Sequence, residues 1–334
     1  MPSMLRAGLI ALLVTLAAPA AAVAQSTAQA SAAPASAYLT VAQLRRRYGD
    51  AQSRYMTISG LEIHYKDEGP RDAPVLLMIH GSQSSLRTWD RIVAIMQRHY
   101  RIVRFDVPGY GLSGRISDAA STVPPVDVPE TLLTRLGIAK IAAAVGVSSG
   151  GTMGMYLAAK RPDMVERLIL SNTPSDPVDT SHLVMPDAFL KAQARARTTG
   201  MSDLDFWNQY LSYFSGDPAR ISSRTRGEYY DFNRRVPEKY PIALVARIGD
   251  GKQATIEMAK VRAPTFLVWG GADPLLPEAA VVAISRYLKN APLSKIVMPD
   301  VGHYPPLEVP DRFARWIAAY VEAGTPYLDH SAKP

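Results

Sequence analysis

The 334-residue chain contains no cysteine. That excludes a disulfide framework, a thiol nucleophile, a zinc–thiolate site and an iron–sulfur cluster. Charge is also sparse, at 20% of residues, and the longest basic run is only Arg45-Arg46-Arg47. A net charge of +7 scattered in this way is a solubility property and not a nucleic-acid footprint. No stretch is apolar over the ~20 residues that a bilayer span needs, and there is no internal repeat. What is plentiful is apolar material, 47% of residues, which suits a globular protein and excludes a disordered one. A chain of this length can bury roughly 75% of the surface its unfolded form exposes.

The amino terminus differs from the rest. Met1 to Arg6 carry one positive side chain, Ala7 to Ala18 form a short apolar stretch, and Ala22-Val23-Ala24 follows Pro19. These are the parts of a secretory signal with cleavage after Ala24. Residues 1–24 are therefore expected to be a signal peptide, with no membrane span left after cleavage. With no cysteine to acylate, the lipoprotein route is closed. An exported, cysteine-free chain points to a bacterial periplasm or exterior. Residues 25–50 read as a flexible linker and lead-in, small and polar over Gln25 to Ala37.

From residue 51 the pattern becomes regular. Ser53–Ser59 and Leu61–Lys66 alternate as two early strands joined at Gly60. Short apolar runs of the buried parallel type follow at Val75–Ile79, Ile102–Phe105, Ile141–Val147, Leu168–Leu170, Phe266–Trp269 and Lys295–Met298. Helical segments separate them: Arg87–Arg98, Gly151–Arg161, Pro277–Leu288 and Pro310–Val321. Such alternation means an α/β fold, a mostly parallel sheet with helices on both faces. Between Pro174 and Pro264 no strand is evident, and ten aromatics fall between Phe189 and Tyr240. Residues 175–260 therefore read as a helical cap inserted between two parts of the core, 51–174 and 261–325, with a tail at 326–334. Most of these aromatics are expected to pack the cap's own core, and three or four to line a pocket.

Gly146-Val147-Ser148-Ser149-Gly150 fits G-x-S-x-G. Its context carries the weight: an apolar strand before it and a helix after it, as a nucleophilic serine on a sharp turn requires. Ser149 cannot take the place of Ser148, because the matching glycine would fall at Val147. A serine needs a base and an orienting acid. His303 follows the last strand in a glycine-supported loop, where α/β sheets place their sites, whereas His330 lies four residues from a polar terminus. Asp273, just past Phe266–Trp269, is the expected acid, with Asp176 as the alternative. The backbone amides of Ser149 and of Ser82 are the expected oxyanion donors, with Gln83 the alternative to Ser82. His80 reads as a loop brace.

Four blocks then make the chain resemble the α/β-hydrolase-fold serine hydrolases. They are His80-Gly81-Ser82 with Trp89, Asp106-Val107-Pro108-Gly109-Tyr110-Gly111-Leu112-Ser113, the Ser148 elbow, and Asp273 with Gly302-His303. The resemblance spans about residues 53–323. It implies an eight-stranded sheet, a helical cap after the sixth strand, and no cofactor or metal. It also implies hydrolysis of a carboxylic ester or lactone through a Ser148–His303–Asp273 acyl-enzyme. The cap's aromatics point to a small-molecule, partly apolar or aromatic ester. C–C bond hydrolysis or cofactor-free perhydrolysis would reuse the same residues, and a non-catalytic binding protein on this fold would lack the chemistry. Similar dehalogenases and epoxide hydrolases carry aspartate at the elbow, which argues against those activities here. One departure stands out: Pro124, Pro125 and Pro129 interrupt the segment Ser121 to Gly137 where similar proteins have a longer helix.

Overall fold

The computed structural model describes residues 37–176, 178–237, 240 and 251–323. The signal segment, residues 25–36 of the linker, His330 and the tail lie outside the described residues. Eight strands form one sheet in the order β1-β2-β4-β3-β5-β6-β7-β8. They are β1 (Arg54–Ile58), β2 (Leu61–Glu68), β3 (Val75–Ile79), β4 (Arg101–Phe105), β5 (Ala143–Val147), β6 (Leu168–Ser171), β7 (Thr265–Gly270) and β8 (Leu293–Met298). The β1–β2 and β2–β4 pairs are antiparallel and the rest parallel. Ser59 and Gly60, both at positive φ, close the β1–β2 hairpin, as a two-residue turn must to match strand twist.

The sheet is covered on both faces, which is why its inner strands read as unbroken apolar runs. In β3, Leu77 and Ile79 join one core with Val103, Leu157 and Trp269. Leu76 and Met78 join the other, with Trp89, Val145 and Phe313. The helices are α1 (Val41–Tyr48), α2 (Asp90–Met96), α3 (Asp127–Arg135), α4 (Ser149–Lys160), α5 (Asp187–Thr199), α6 (Leu204–Phe214), α7 (Ser223–Asn233), α8 (Gly251–Met258), α9 (Glu278–Tyr287), α10 (Pro305–Glu308) and α11 (Pro310–Ala323). Trp89 and Phe313 bring a 3-10 turn at Leu86–Trp89 and α11 onto the same face. The proline-interrupted segment forms a helix of nine residues, α3. Pro124 and Pro125 precede it, and Pro129 falls in its first turn, where no intrahelical N–H is needed.

Helices α5, α6 and α7 carry the cap, with Phe189, Phe206, Trp207, Tyr210 and Tyr229 in a cluster of their own. By contrast, Ala254 and Met258 of α8 belong to the main core. Within the stretch read as lead-in, α1 is a folded helix with a capping box between Thr40 and Gln43. It braces the cap against the core. Leu44 packs with Leu112 and Phe232, Tyr48 donates to Asp231 at 2.5 Å, and Leu39 bridges to Arg235.

A buried carboxylate organises the loop after β4. Asp106 is 1% exposed. Its Oδ2 accepts from His64 Nδ1 at 2.7 Å and from the Leu112 amide at 2.7 Å, and its Oδ1 accepts from the Leu86 amide at 2.7 Å. Gly111, at φ 51°, leaves no room for a side chain there, since a Cβ would stand 2.2 Å from the Asp106 carboxyl carbon. Burial pushes the Asp106 pKa up, but His64, His80 and the Leu112 amide outweigh it and hold the group below 3.8. Its stabilisation is therefore fully present above pH 3.8 and is lost as the pH falls through the lower folded value. Asp106→Asn is expected to cost about 3–5 kcal/mol in urea denaturation at neutral pH. The same variant should also flatten the acid limb of a plot of stability against pH.

Candidate active site

The sheet's strand order turns at β3 and β5, and α/β sheets hold ligands at such a point, outside the carboxyl ends of the strands. Four loops leave the carboxyl edge of the parallel strands on this side: residues 80–86 after β3, Ser148 after β5, residues 271–276 after β7 and residues 299–304 after β8. Ser148 adopts φ 54° and ψ −133°. A non-glycine residue holds such a backbone only where its surroundings enforce it, and here they do. Its N–H donates to Ser171 O at 2.9 Å, and its carbonyl accepts from Gly151 at 2.9 Å. A Cβ on Gly146 would lie 2.5 Å from Gly150 O, and one on Gly150 would lie 2.3 Å from Ile79 O. The two motif glycines are thus required by contact.

Asp273 and His303 are brought together. His303 Nδ1 lies 2.6 Å from Asp273 Oδ2, and both residues are buried. Donation from Nδ1 leaves Nε2 with the lone pair in the neutral ring. The Ser148 hydroxyl forms no hydrogen bond to His303 among the described residues; this contact is often open in an unliganded site and tightens with substrate. The alternative acid, Asp176, is engaged elsewhere. It accepts from Tyr287 at 2.8 Å and from Ser175 at 3.0 Å.

Asn172, at the end of β6, is a site residue that sequence patterns did not single out. It is fully buried, has φ 40°, and its Nδ2 donates to the same Asp273 oxygen at 2.8 Å. Its Oδ1 accepts from Gly270 N at 2.9 Å, which locks the amide's orientation. The Leu275 amide donates to Asp273 Oδ1 at 2.8 Å. The carboxylate is therefore held by three donors, and its position does not depend on the histidine alone.

Ser82 and Ser149 face each other, with hydroxyls 2.9 Å apart. Ser149 is the first residue of α4, so its N–H has no intrahelical acceptor. Gln83, the alternative donor, has φ 60°, and its carbonyl accepts from Asn233 Nδ2 at 2.7 Å. His80 has both ring nitrogens occupied, Nδ1 on Gly81 O at 2.7 Å and Nε2 under the Val107 amide at 2.9 Å. Full burial pushes its pKa down and keeps it neutral. It braces the two loops on which Gly81 and Val107 sit.

The cap also reaches the site. The His303 N–H donates to Phe214 O at 2.7 Å, at the end of α6. Glu308 has one oxygen on the Gly302 amide at 2.9 Å and the other on the Gly216 amide at 2.8 Å. Burial raises its pKa against the amides of Gly216, Gly302 and Asp217. Tyr210 and Tyr304 share a hydroxyl bond of 2.8 Å, and burial pushes Tyr210 up to about 12, so it stays neutral. The Tyr304 ring meets His303 edge-on at 4.8 Å.

Residues 74–310 match the model of the alpha/beta hydrolase fold family. A bifunctional esterase/perhydrolase of Acinetobacter calcoaceticus is 25% identical over 288 residues, 80% of this chain and 98% of the relative. Mouse epoxide hydrolase 3 is 23% identical over 278 residues, 79% of this chain and 75% of the relative. The enol-lactonase of Burkholderia xenovorans superposes with a TM-score of 0.61 at 20% identity, over 80% of this chain and all of that one.

Gly81 gives the geometry a direct test. A Cβ there would stand 2.9 Å from Ser148 Cβ and 3.1 Å from Val147 O, so the serine must move. Gly81→Ala is expected to lower hydrolase turnover about 10²-fold, the order expected for a ~1 Å misplacement, with circular dichroism unchanged.

Proposed function

The chain belongs to the α/β-hydrolase family, and on that premise we propose that it is an exported serine hydrolase cleaving a carboxylic ester or lactone. The observation that supports this reading is the positive-φ Ser148 elbow, bonded to Ser171 at the end of β6, where the next residue, Asn172, holds the Asp273 of a bonded His303–Asp273 pair. His303 takes the Ser148 proton as the hydroxyl oxygen attacks the substrate carbonyl. The amides of Ser82 and Ser149 hold the oxyanion. Gln83 is the alternative donor to Ser82. The leaving alcohol departs with the proton from His303, and water activated by the same imidazole releases the acid. Asp273, steadied by Asn172, stabilises the imidazolium in both steps.

The residue at the elbow favours this reading over the epoxide hydrolase activity named for the mouse relative. Serine forms an acyl ester at a carbonyl, whereas the alkyl-ester route uses a carboxylate nucleophile. The ring cluster beside His303, with Phe214 at 6.2 Å and Tyr304 at 4.8 Å, supports a small to medium, partly apolar or aromatic acyl group. Export is supported by the signal pattern of residues 1–24.

Ser148→Ala should lower turnover of a p-nitrophenyl ester by on the order of 10⁵ or more with the fold intact. A fluorophosphonate should label Ser148 in the wild type. Retained turnover in the variant, or labelling at Ser149, would remove Ser148 as nucleophile.

A further inference from the structure

The cap touches the loop after β3 as closely as it touches His303. Asn233, the last residue of α7, donates through Nδ2 to Gln83 O at 2.7 Å and to Tyr229 O at 2.8 Å. One turn earlier, the Tyr229 hydroxyl donates to Ser84 Oγ at 3.1 Å. Beside them Arg87 pairs with Glu228 at 2.8 Å. Gln83 and Ser84 of the loop, and Arg87 just beyond it, are thus each held by a side chain of one cap helix.

Gln83 is where this matters. Its φ is 60°, a left-handed backbone that a glutamine adopts only under strain. Strain of this kind persists only when the surroundings over-determine it. Here the carbonyl of Gln83 is occupied, accepting from Asn233. Gln83 directly follows Ser82, so its φ and the plane of the Ser82–Gln83 peptide set how the loop curls past Ser149. Without the Asn233 amide, the strained residue can relax to negative φ, and the loop on its N-terminal side turns with it, including the Gly81–Ser82 peptide that carries the Ser82 N–H.

We propose that Asn233 is a positioning residue for the oxyanion loop, so that the cap helix α7 holds the donor geometry at Ser82. This rests on the serine-hydrolase reading above. The carbonyl oxygen of the substrate is held only as well as its donors are pre-placed, and one misplaced donor costs up to about 10²–10³ in rate. Asn233 touches no reacting atom, so its loss is expected at the lower end.

The test compares Asn233→Ala and the isosteric Asn233→Asp with wild type on a p-nitrophenyl ester. It also measures inhibition by a trifluoromethyl ketone, whose tetrahedral adduct with Ser148 carries the oxyanion. The expected result is a fall in kcat of about 10- to 100-fold, with KM within threefold and ketone affinity reduced in step with kcat/KM. Aspartate should be the worse variant, because it places a carboxylate oxygen against the Gln83 carbonyl. Should the alanine variant not fold, the aspartate variant carries the same comparison. A folded variant with kcat and ketone affinity within twofold of wild type overturns the proposal, and so does a loss confined to KM or to thermal stability. Ester turnover surviving in Ser148→Ala would instead overturn the serine-hydrolase reading, and it is measured independently of the Asn233 variants.

Discussion

The site depends on one steric constraint: around the Ser148 turn, four glycines stand where a Cβ would collide with a neighbour. Gly146, Gly150 and Gly151 flank the strand-to-helix turn, and Gly81 comes from the neighbouring loop. A Cβ on Gly151 would lie 1.9 Å from Thr173 Oγ1, and one on Gly81 would lie 2.9 Å from Ser148 Cβ. Each missing Cβ lets a strand, a helix or a loop close in. The serine is held in a backbone conformation it would not choose, because relaxing it would push those neighbours apart. Strain at Ser148 and tight packing around it are therefore the same fact, seen from the serine and from its surroundings.

The cap is a structural member of this arrangement. The end of α6 is tied to the loop carrying His303 by the Phe214 carbonyl and by Glu308, whose carboxylate spans Gly216 and Gly302. Helix α7 is tied to the loop after β3 by Asn233 and Tyr229. Helix α1 in turn ties α7 to the core through Tyr48 and Asp231. A Cβ on Gly302 would stand 2.3 Å from Phe214 O, so the α6 contact is close-packed as well as hydrogen-bonded. Any displacement of the cap therefore loads the loops that carry His303 and Ser82. The position of the cap and the placement of His303 and Ser82 are mechanically linked.

Much of this was legible in the sequence because it is written in local pattern. The buried strands announce themselves as apolar runs, and G-x-S-x-G between a strand and a helix marks the elbow. His303 and Asp273 stand just past strands, where a parallel sheet puts its chemistry. What was not legible depends on contacts distant in sequence. Asn172 at a strand end has no pattern, and its role appears only when β6 and β7 lie side by side. Asn233 and Gln83 are 150 residues apart. Helix α1 is rich in arginine and carries one fully buried apolar residue, Leu44, so its sequence resembles a lead-in. Its stability comes from docking on Leu112 and Phe232.

Histidine chemistry in this protein shows why residue type alone does not mark a site. Ser53, His64 and Asp106 form a hydroxyl–imidazole–carboxylate chain with bonds of 3.0 and 2.7 Å, the same three groups a catalytic triad uses. Both ring nitrogens of His64 are spent in it, and Ser53 sits in a turn beside Asp50 with no elbow strain. His80 likewise has both nitrogens occupied. His303 differs in that only Nδ1 is engaged among the described residues, while its ring lies at the carboxyl edge of the sheet. A general base must keep one nitrogen for the proton it will accept. Among the three buried histidines of the described residues, the bonding pattern leaves that capacity to His303, while His64 and His80 brace the chain at Ser53, Asp106, Gly81 and Val107.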